Sequence, residues 1–286
     1  VGQSLDAFSG RLTRVAAVAK TTTSLIPEQR RQQILQHLRG RGVLSYRDIT
    51  ELLGVSHMTA RRDVAALAEE GKVQVTQGGV LAETRLLQEP HRSVKEAADL
   101  PAKAAIARHA AELVTDSMTV YLDAGTTVQA MSPYLRERSD LTIVSNDLAT
   151  AMAFLEFPGV DLICVGGRVD RDNKSMIGRL AALTLGELSL DIAFLSSSSC
   201  DLRHGVTTPV EAKIDPKRAA MASAEKTVLL ADSSKFGRYA KYRVLGLNEL
   251  DLIISDAGLD EATTHQIQEL GVEVVRASMK PLADDA

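Results

Sequence analysis

The chain contains no tryptophan, and aromatic residues make up only 3% of it. Stacking of bases on aromatic platforms is therefore a poor explanation for any nucleic-acid binding. Cysteine is almost as scarce: Cys164 lies within VDLICV and Cys200 follows a serine run. These two residues supply neither a disulfide framework nor a zinc spacing, which fits a reducing cytoplasm. The histidines (His37, His57, His91, His109, His204 and His265) are scattered without ligand spacing, so neither a metal nor a redox cofactor is expected. No uninterrupted apolar run approaches the ~18 residues of a membrane span, and the amino-terminal stretch lacks the apolar centre of a secretory signal. A soluble cytoplasmic protein with no membrane partner is expected.

What is present points to two parts. At 286 residues and 45% apolar, the chain can bury a sizeable core in roughly two domains. Residues 1–85 hold 12 Lys and Arg against 8 Asp and Glu, whereas residues 86–286 hold 21 against 29. A mildly basic small end on an acidic larger one suits a DNA-reading module joined to a sensor or enzyme.

Residues 1–24 show no sustained periodicity and are expected to be a mobile extension. From Pro27 the apolar spacing turns helical, with Ile34, Leu35 and Leu38 in one stripe and Gly40 and Gly42 as the stop. Ser45 and Asp48 resemble a capping pair for a second helix carrying Ile49, Leu52 and Leu53. Gly54 permits a turn, Ser56 caps a third helix with the stripe Ala60, Val64 and Leu67, and KVQVTQGGV reads as a hairpin. The order predicts a winged helix-turn-helix domain over 25–82. Residues 83–100 (ETRLLQEPHRSVKEAADL) read as a linker. Beyond Pro101, helical segments alternate with the runs TVYLD, LTIVS, VDLICV, DIAFLS, TVLLA, LDLIIS and VEVV, predicting a mostly parallel α/β domain over 101–286.

On a wheel of ~100° per residue, the buried stripe of the third helix leaves Met58 and Arg62 pointing away from it and Thr59 and Arg61 to the sides. Arginine offers paired donors to guanine or phosphate, threonine meets a base edge or a thymine methyl, and Ala65 keeps that face thin. Arg61 and Arg62 otherwise form a solvated basic face or pair with Asp63 or Glu69. His57 and Met58 are read either as base contacts or as an exposed ring beside the cap and a filler against the wing. Lys72 and Gln77 in the wing are expected to meet phosphate.

Residues 26–82, through IPEQRRQQIL, LLGVSHMTARRDVAALAEEGKV and QGGV, resemble the amino-terminal domain of the DeoR family of bacterial transcriptional regulators. The specific string is Ser56, Thr59, Arg61, Arg62 and Asp63. Ala60 departs from the Ile or Val usual in the family after that threonine.

In the larger part, Asp123-Ala124-Gly125-Thr126-Thr127 follows an apolar run and leads into a helical stretch through Leu135. Strand, glycine turn and helix start place N–H groups and two hydroxyls around an anion, phosphate above all, although the same string also serves as an ordinary turn and cap. Ser145-Asn146-Asp147, Gly166-Gly167-Arg168 and Asp232-Ser233-Ser234-Lys235-Phe236-Gly237 likewise follow apolar runs, where open α/β sheets bind ligands.

Residues 95–280 resemble the effector domain of the same family, itself similar to ribose-5-phosphate isomerase. The resemblance implies a phosphate cradle at Gly125, Thr126 and Thr127, and polar groups near sugar hydroxyls at Asp123 and Asn146. It further implies roles for Lys217 and Arg218 after Glu211, and for Lys235 of the S-K-F-G turn. Ser196-Ser197-Ser198-Ser199-Cys200-Asp201 stands where the family has a Gly-containing segment, and reads equally as a polar loop or a ligand contact.

An isomerase-type enzyme, with Asp201, Glu211 and Lys235 moving protons, is the alternative. Against it, the acidic and Lys-Gly-rich loops of such isomerases are replaced here by SSSSCD and RHGVTT. The reading is a ligand-responsive repressor, homodimeric or homotetrameric, with operator DNA and a small phosphorylated sugar or sugar acid as partners.

Overall fold

The computed structural model describes residues 25–70, 72–82 and 85–278. Residues 1–24, expected as a mobile extension, lie outside the described residues, as do 279–286. The small domain comprises α1 (Pro27–Arg41), β1 (Val43–Ser45), α2 (Tyr46–Leu53), α3 (His57–Glu69), β2 (Val73–Val75) and β3 (Gly79–Ala82). Gly42 and Gly54 end α1 and α2 in the left-handed region at φ 70° and 62°. The expected capping pair forms: Ser45 Oγ accepts from the Asp48 N–H at 3.1 Å, and the Asp48 carboxylate accepts from the Ser45 N–H at 2.8 Å. Ile34, Leu38, Ile49, Ala60, Val64, Leu67 and Val80 close a buried core between the three helices and the wing.

The wing has three strands, in the order β1-β3-β2, rather than the two of the expected hairpin. The three residues Val43–Ser45 are too short to show a period in the sequence. They are strand because β3 offers them its free edge. Gly79 is required there: a Cβ at that position would lie 2.1 Å from the Leu44 carbonyl oxygen.

The larger domain runs β4 (Arg85–Leu86), α4 (Arg92–Ala97), α5 (Leu100–Ala111), β5 (Thr119–Leu122), α6 (Thr126–Gln129), β6 (Leu141–Ser145), α7 (Leu148–Phe154) and β7 (Val160–Cys164). It continues with β8 (Arg168–Asp170), β9 (Ser175–Ile177), α8 (Arg179–Gly186), β10 (Leu190–Ser196), β11 (Ser199–Asp201), β12 (Gly205–Thr208), α9 (Ile214–Ala222) and β13 (Ala224–Leu230). The last elements are β14 (Tyr239–Ala240), β15 (Tyr242–Leu245), β16 (Leu252–Asp256), α10 (Glu261–Glu269) and β17 (Glu273–Ala277).

The apolar runs of this part assemble, among the described residues, into one seven-stranded parallel sheet ordered β17-β16-β13-β10-β5-β6-β7. Side chains alternate between two cores. Val120, Leu122, Ile143 and Phe194 enter one with α5 and α7, while Tyr121, Val144 and Leu195 enter the other with α8 and α9. From β5 the order runs outward through β6 to β7, and from β10 it runs the other way through β13 to β17. The connections diverge between β5 and β10, opening a crevice at their carboxyl ends, where such sheets bind ligands. Two antiparallel additions were not visible in the sequence: the β8-β9 hairpin and the sheet β11-β12-β15.

Within the stretch expected as a linker, β4 pairs with β14, Leu86 is buried, and Arg92 on α4 is 2% exposed. Arg92 donates to both carboxylate oxygens of Asp147 at 2.9 and 3.1 Å, to the Asn173 carbonyl at 3.1 Å and to Gln129 Oε1 at 2.6 Å. The connector is thus fastened across the carboxyl ends of the sheet.

Candidate functional site

On α3, Ser56 caps the first turn by accepting from the Thr59 N–H at 3.2 Å. Ala60, Val64 and Leu67 face the core, and Met58, Arg61 and Arg62 face solvent, Met58 at 70% exposure. Asp63 does not pair with its neighbours. It is 2% exposed and accepts from Arg30 of α1 through both oxygens, at 2.6 and 3.1 Å. Arg62 is therefore left on the solvent face, where a groove contact is open to it.

Arg61 lies over the Tyr46 ring at 5.1 Å, and the His57 ring, one turn earlier on the same face of α3, is tilted against the same tyrosine at 5.3 Å. Tyr46, His57, Arg61, Arg47 and the wing residue Gln77 line a cleft between α2, α3 and the wing turn. Tyr46 and Arg47 were not singled out in the sequence, although the Ser45–Asp48 cap places them in the first turn of α2. Lys72 is paired with Glu70 at 2.6 Å, with both side chains exposed. Such a pair contributes about 0–1 kcal/mol and yields easily to a phosphate.

The second site is a cavity of about 150 Å³ at the divergence of β5 and β10. It brings together Asp123 to Thr127 after β5, Asn146 after β6, Ser196 to Ser198 at and beyond the end of β10, and Asp232 and Lys235 after β13. Of the residues expected to bind ligand, Asp123, Gly125, Thr126, Thr127, Asn146, Lys217 and Lys235 stand in its wall; Ser145, Gly166 and Gly167 do not. Ser145 is fully buried and donates to the Leu122 carbonyl at 2.7 Å, while Gly167 packs against α8. Arg218, Glu211 and Arg168 line a separate cleft, and Asp201 is engaged with His204 at 2.7 Å. The side chains considered for proton transfer therefore do not converge, since Asp201 and Glu211 lie outside the cavity that holds Lys235.

Several wall residues hold the turn rather than face it open-handed. Asn146 accepts from the Ala124 N–H at 2.7 Å and donates to the Met176 carbonyl at 3.2 Å, so both ends of its amide are engaged. Asp123 is bonded to the Lys217 ammonium, accepts from the Ser196 N–H at 2.9 Å, and lies 3.3 Å from the Tyr121 hydroxyl. Burial, and then the Asp123 charge, push Tyr121 well above the usual phenol range, so it remains a donor. Ser196 Oγ lies 2.8 Å from Asp123 and 2.7 Å from the Ala124 carbonyl. Gly125 is where it is because a Cβ there would sit 2.5 Å from Ser196 Cβ. Ser197 and Ser199 make internal bonds, leaving Ser198 with Ser196 and Ser197 at the cavity wall. Cys200 is buried, which pushes its thiol up and leaves it inert.

The sequence reading missed three of the five lysines in this wall, Lys95, Lys103 and Lys213. Their local spacing carries no signal, because Lys95 comes from α4 of the connector, Lys103 from α5 and Lys213 from the turn before α9. Against the five lysines stand three wall carboxylates, Glu89, Asp123 and Asp232, with Asp170 behind the wall 3.7 Å from Lys213, which leaves an excess of one positive charge. Lys217 pairs with Asp123, and Lys235 with Asp232 at 3.2 Å. Lys103, 4% exposed, donates to the Lys95 and Ala98 carbonyls, and among the described residues no carboxylate lies within ion-pair distance of it. Burial, then repulsion from Lys235, holds its pKa below the usual lysine range.

Comparison with known proteins matches residues 30–86 to the DeoR-like helix-turn-helix domain and residues 99–257 to the DeoR C terminal sensor domain. The chain is 39% identical over 254 residues to the HTH-type transcriptional regulator YgbI of Escherichia coli K12, covering 88% of this chain and 99% of that protein. It is 33% identical over 249 residues to the putative aga operon transcriptional repressor of E. coli O157:H7, covering 86% and 93%. Among solved structures it is similar to ribose 5-phosphate isomerase A of Methanocaldococcus jannaschii, at 18% identity and a TM-score of 0.35 over 47% of this chain and 53% of that one.

Proposed function

The chain belongs to the DeoR family of transcriptional regulators, DNA-binding proteins rather than enzymes, and from that membership we propose that it represses a sugar or sugar-acid catabolic operon in response to a small phosphorylated metabolite. The observation that carries the ligand class is the cation excess at the divergence of β5 and β10, where five lysines face three carboxylates around the Gly125-Thr126-Thr127 turn. A phosphate at neutral pH, carrying ~1.5–2 negative charges, meets that cation excess. Arg62, Met58 and Thr59 enter the major groove, with Arg61 and His57 braced on Tyr46 and Gln77 and Lys72 reaching the backbone. The protein acts as a homodimer or homotetramer, so that paired heads meet repeated half-sites. Ligand binding favours one arrangement of the heads and thereby shifts operator affinity.

A thermal-shift screen of phosphorylated sugars and sugar acids beside their unphosphorylated forms tests this, because a ligand of the native state raises the midpoint. Stabilisation by phosphorylated compounds, lost in Thr126→Ala/Thr127→Ala with DNA binding retained, is expected. Stabilisation by unphosphorylated compounds alone, or by none, refutes the phosphate assignment.

A further inference from the structure

One wall of the cavity is not part of the sheet. It is the connector: Glu89, Pro90, Val94, Lys95 and Ala98 line the cavity from the segment between the domains. Glu89 reaches Lys95 at 2.9 Å and Lys213 at 3.2 Å, and its side chain is 11% exposed. A carboxylate of the connector thus already occupies a lysine-lined corner of the ligand site. This corner is distinct from the pairs Lys217–Asp123 and Lys235–Asp232 that border the glycine turn.

We infer that Lys95 and Lys213 form a second anion subsite whose resident in the unliganded protein is Glu89, and that a carboxylate on the ligand displaces Glu89 and so loosens the connector between β4 and Arg92. The inference deepens the function proposed above and rests on it for the presence of a ligand in this cavity; the Glu89 anchor itself is an observation of the structure. The ligand class is then a phosphorylated sugar acid, with phosphate at the Gly125 turn and carboxylate at the lysines.

The order of the anchors along the chain fixes which residues the exchange loosens. The DNA-binding domain ends with β3 at Ala82, β4 is held to β14 at Arg85 and Leu86, Glu89 follows, and the next fastening is Arg92, held in a bidentate pair by the buried Asp147 outside the cavity wall. Exchange of Glu89 for a ligand carboxylate loosens residues 87–91, between β4 and Arg92, while β4 stays on β14 and Arg92 keeps α4 seated. Glu89 survives its burial as an anion because Lys213 and Lys95 together outweigh the desolvation, holding it below the usual carboxylate range. A ligand carboxylate arriving at the same lysines enters a place already shaped for that group, and Glu89 returns to water.

The test compares the full chain with its Glu89→Gln variant by hydrogen–deuterium exchange over residues 87–98 and by calorimetric titration with glycerate, glycerol 3-phosphate and 3-phosphoglycerate. Without ligand, E89Q is expected to exchange faster over 87–91 with 92–97 unchanged, and 3-phosphoglycerate to produce the same loosening in the natural chain. With its internal competitor gone, E89Q is expected to bind glycerate and 3-phosphoglycerate about tenfold or more tightly than the natural chain, with little change for glycerol 3-phosphate.

A Glu89 that only supports the fold would shift all three affinities alike, or weaken them, and that result overturns the inference. So does unchanged exchange over 87–91 in ligand-free E89Q, or failure of E89Q to bind either carboxylate. The two proposals fail separately. A gain for glycerate without any added affinity from a phosphate sinks the phosphate turn and leaves the Glu89 subsite standing; phosphate-dependent binding with no carboxylate gain in E89Q does the reverse.

Discussion

Replacing Asp63 with asparagine preserves shape and removes one charge from the pair that ties α3 to α1. The Asp63 side chain is 3% exposed and that of Arg30 14%, and both carboxylate oxygens are engaged, at 2.6 and 3.1 Å. Breaking a fully buried pair costs about 3–5 kcal/mol and breaking an exposed one about 0–1. With one partner still reached by water, the expected loss is about 2–3 kcal/mol. For a module of this size each kcal/mol moves the midpoint by about 4–8 °C, so the unfolding transition of the DNA-binding domain should fall by at least ~8 °C. The sensor transition should stay in place. Calorimetry of the full chain resolves the two, and anisotropy with duplex DNA, taken well below the lowered midpoint, should give an affinity close to that of the natural chain. Arg30→Met combined with Asp63→Leu should recover most of the loss, since an apolar pair of similar volume needs no desolvation. An unshifted first transition with abolished DNA binding would refute the reasoning, because Asp63 would then act at the DNA face.

Three further outcomes are expected. Arg62→Ala should weaken operator binding by about 1–3 kcal/mol and relax base preference without moving the unfolding midpoint, whereas Arg61→Ala should also disturb the Tyr46 cleft; electrophoretic shifts on randomised sites separate the two. Gly125→Ala should destabilise the sensor domain by about 1–3 kcal/mol through the 2.5 Å approach of its Cβ to Ser196 Cβ, and Ser196→Gly should relieve it; denaturant titration of the single and double variants checks this. Anion affinity should fall as pH rises, and should begin to fall earlier than an ordinary lysine allows. Lys103 is charged below its pKa, and burial and Lys235 have lowered that value, so its charge is lost on the way up; Lys103→Met should flatten that part of the profile in ligand titrations.

Much of the fold is legible in the sequence because its signals are local. The stripe Ala60, Val64 and Leu67 sets the buried face of α3 and therefore, by helix geometry alone, the opposite face that Met58 and Arg62 occupy. The inner strands of the parallel sheet are apolar runs because both of their faces are covered, and the turns after those runs hold the Asp, Gly, Thr and Lys residues that line the cavity. The missing parts share a cause. β1 is strand only through its partner β3, the serine run is divided between the end of β10 and the start of β11 by its bonds to Asp123 and Thr207, and neither has a period of its own.

Local spacing along the chain is enough to show which face of α3 is polar and basic, how many apolar runs the larger domain contains, and that a glycine-threonine turn follows the first of them. Only the folded chain shows that Asp63 serves Arg30 rather than its neighbouring arginines, that Asn146 and Asp123 brace the turn, and that Glu89 of an apparent linker meets Lys213, far along the chain, inside the cavity between β5 and β10. The physical reason is range. Helix and strand periods are set by neighbours a few residues apart, whereas the partner of a buried charge is set by whichever chain segment the fold brings within a few ångströms, and desolvation makes that choice binding.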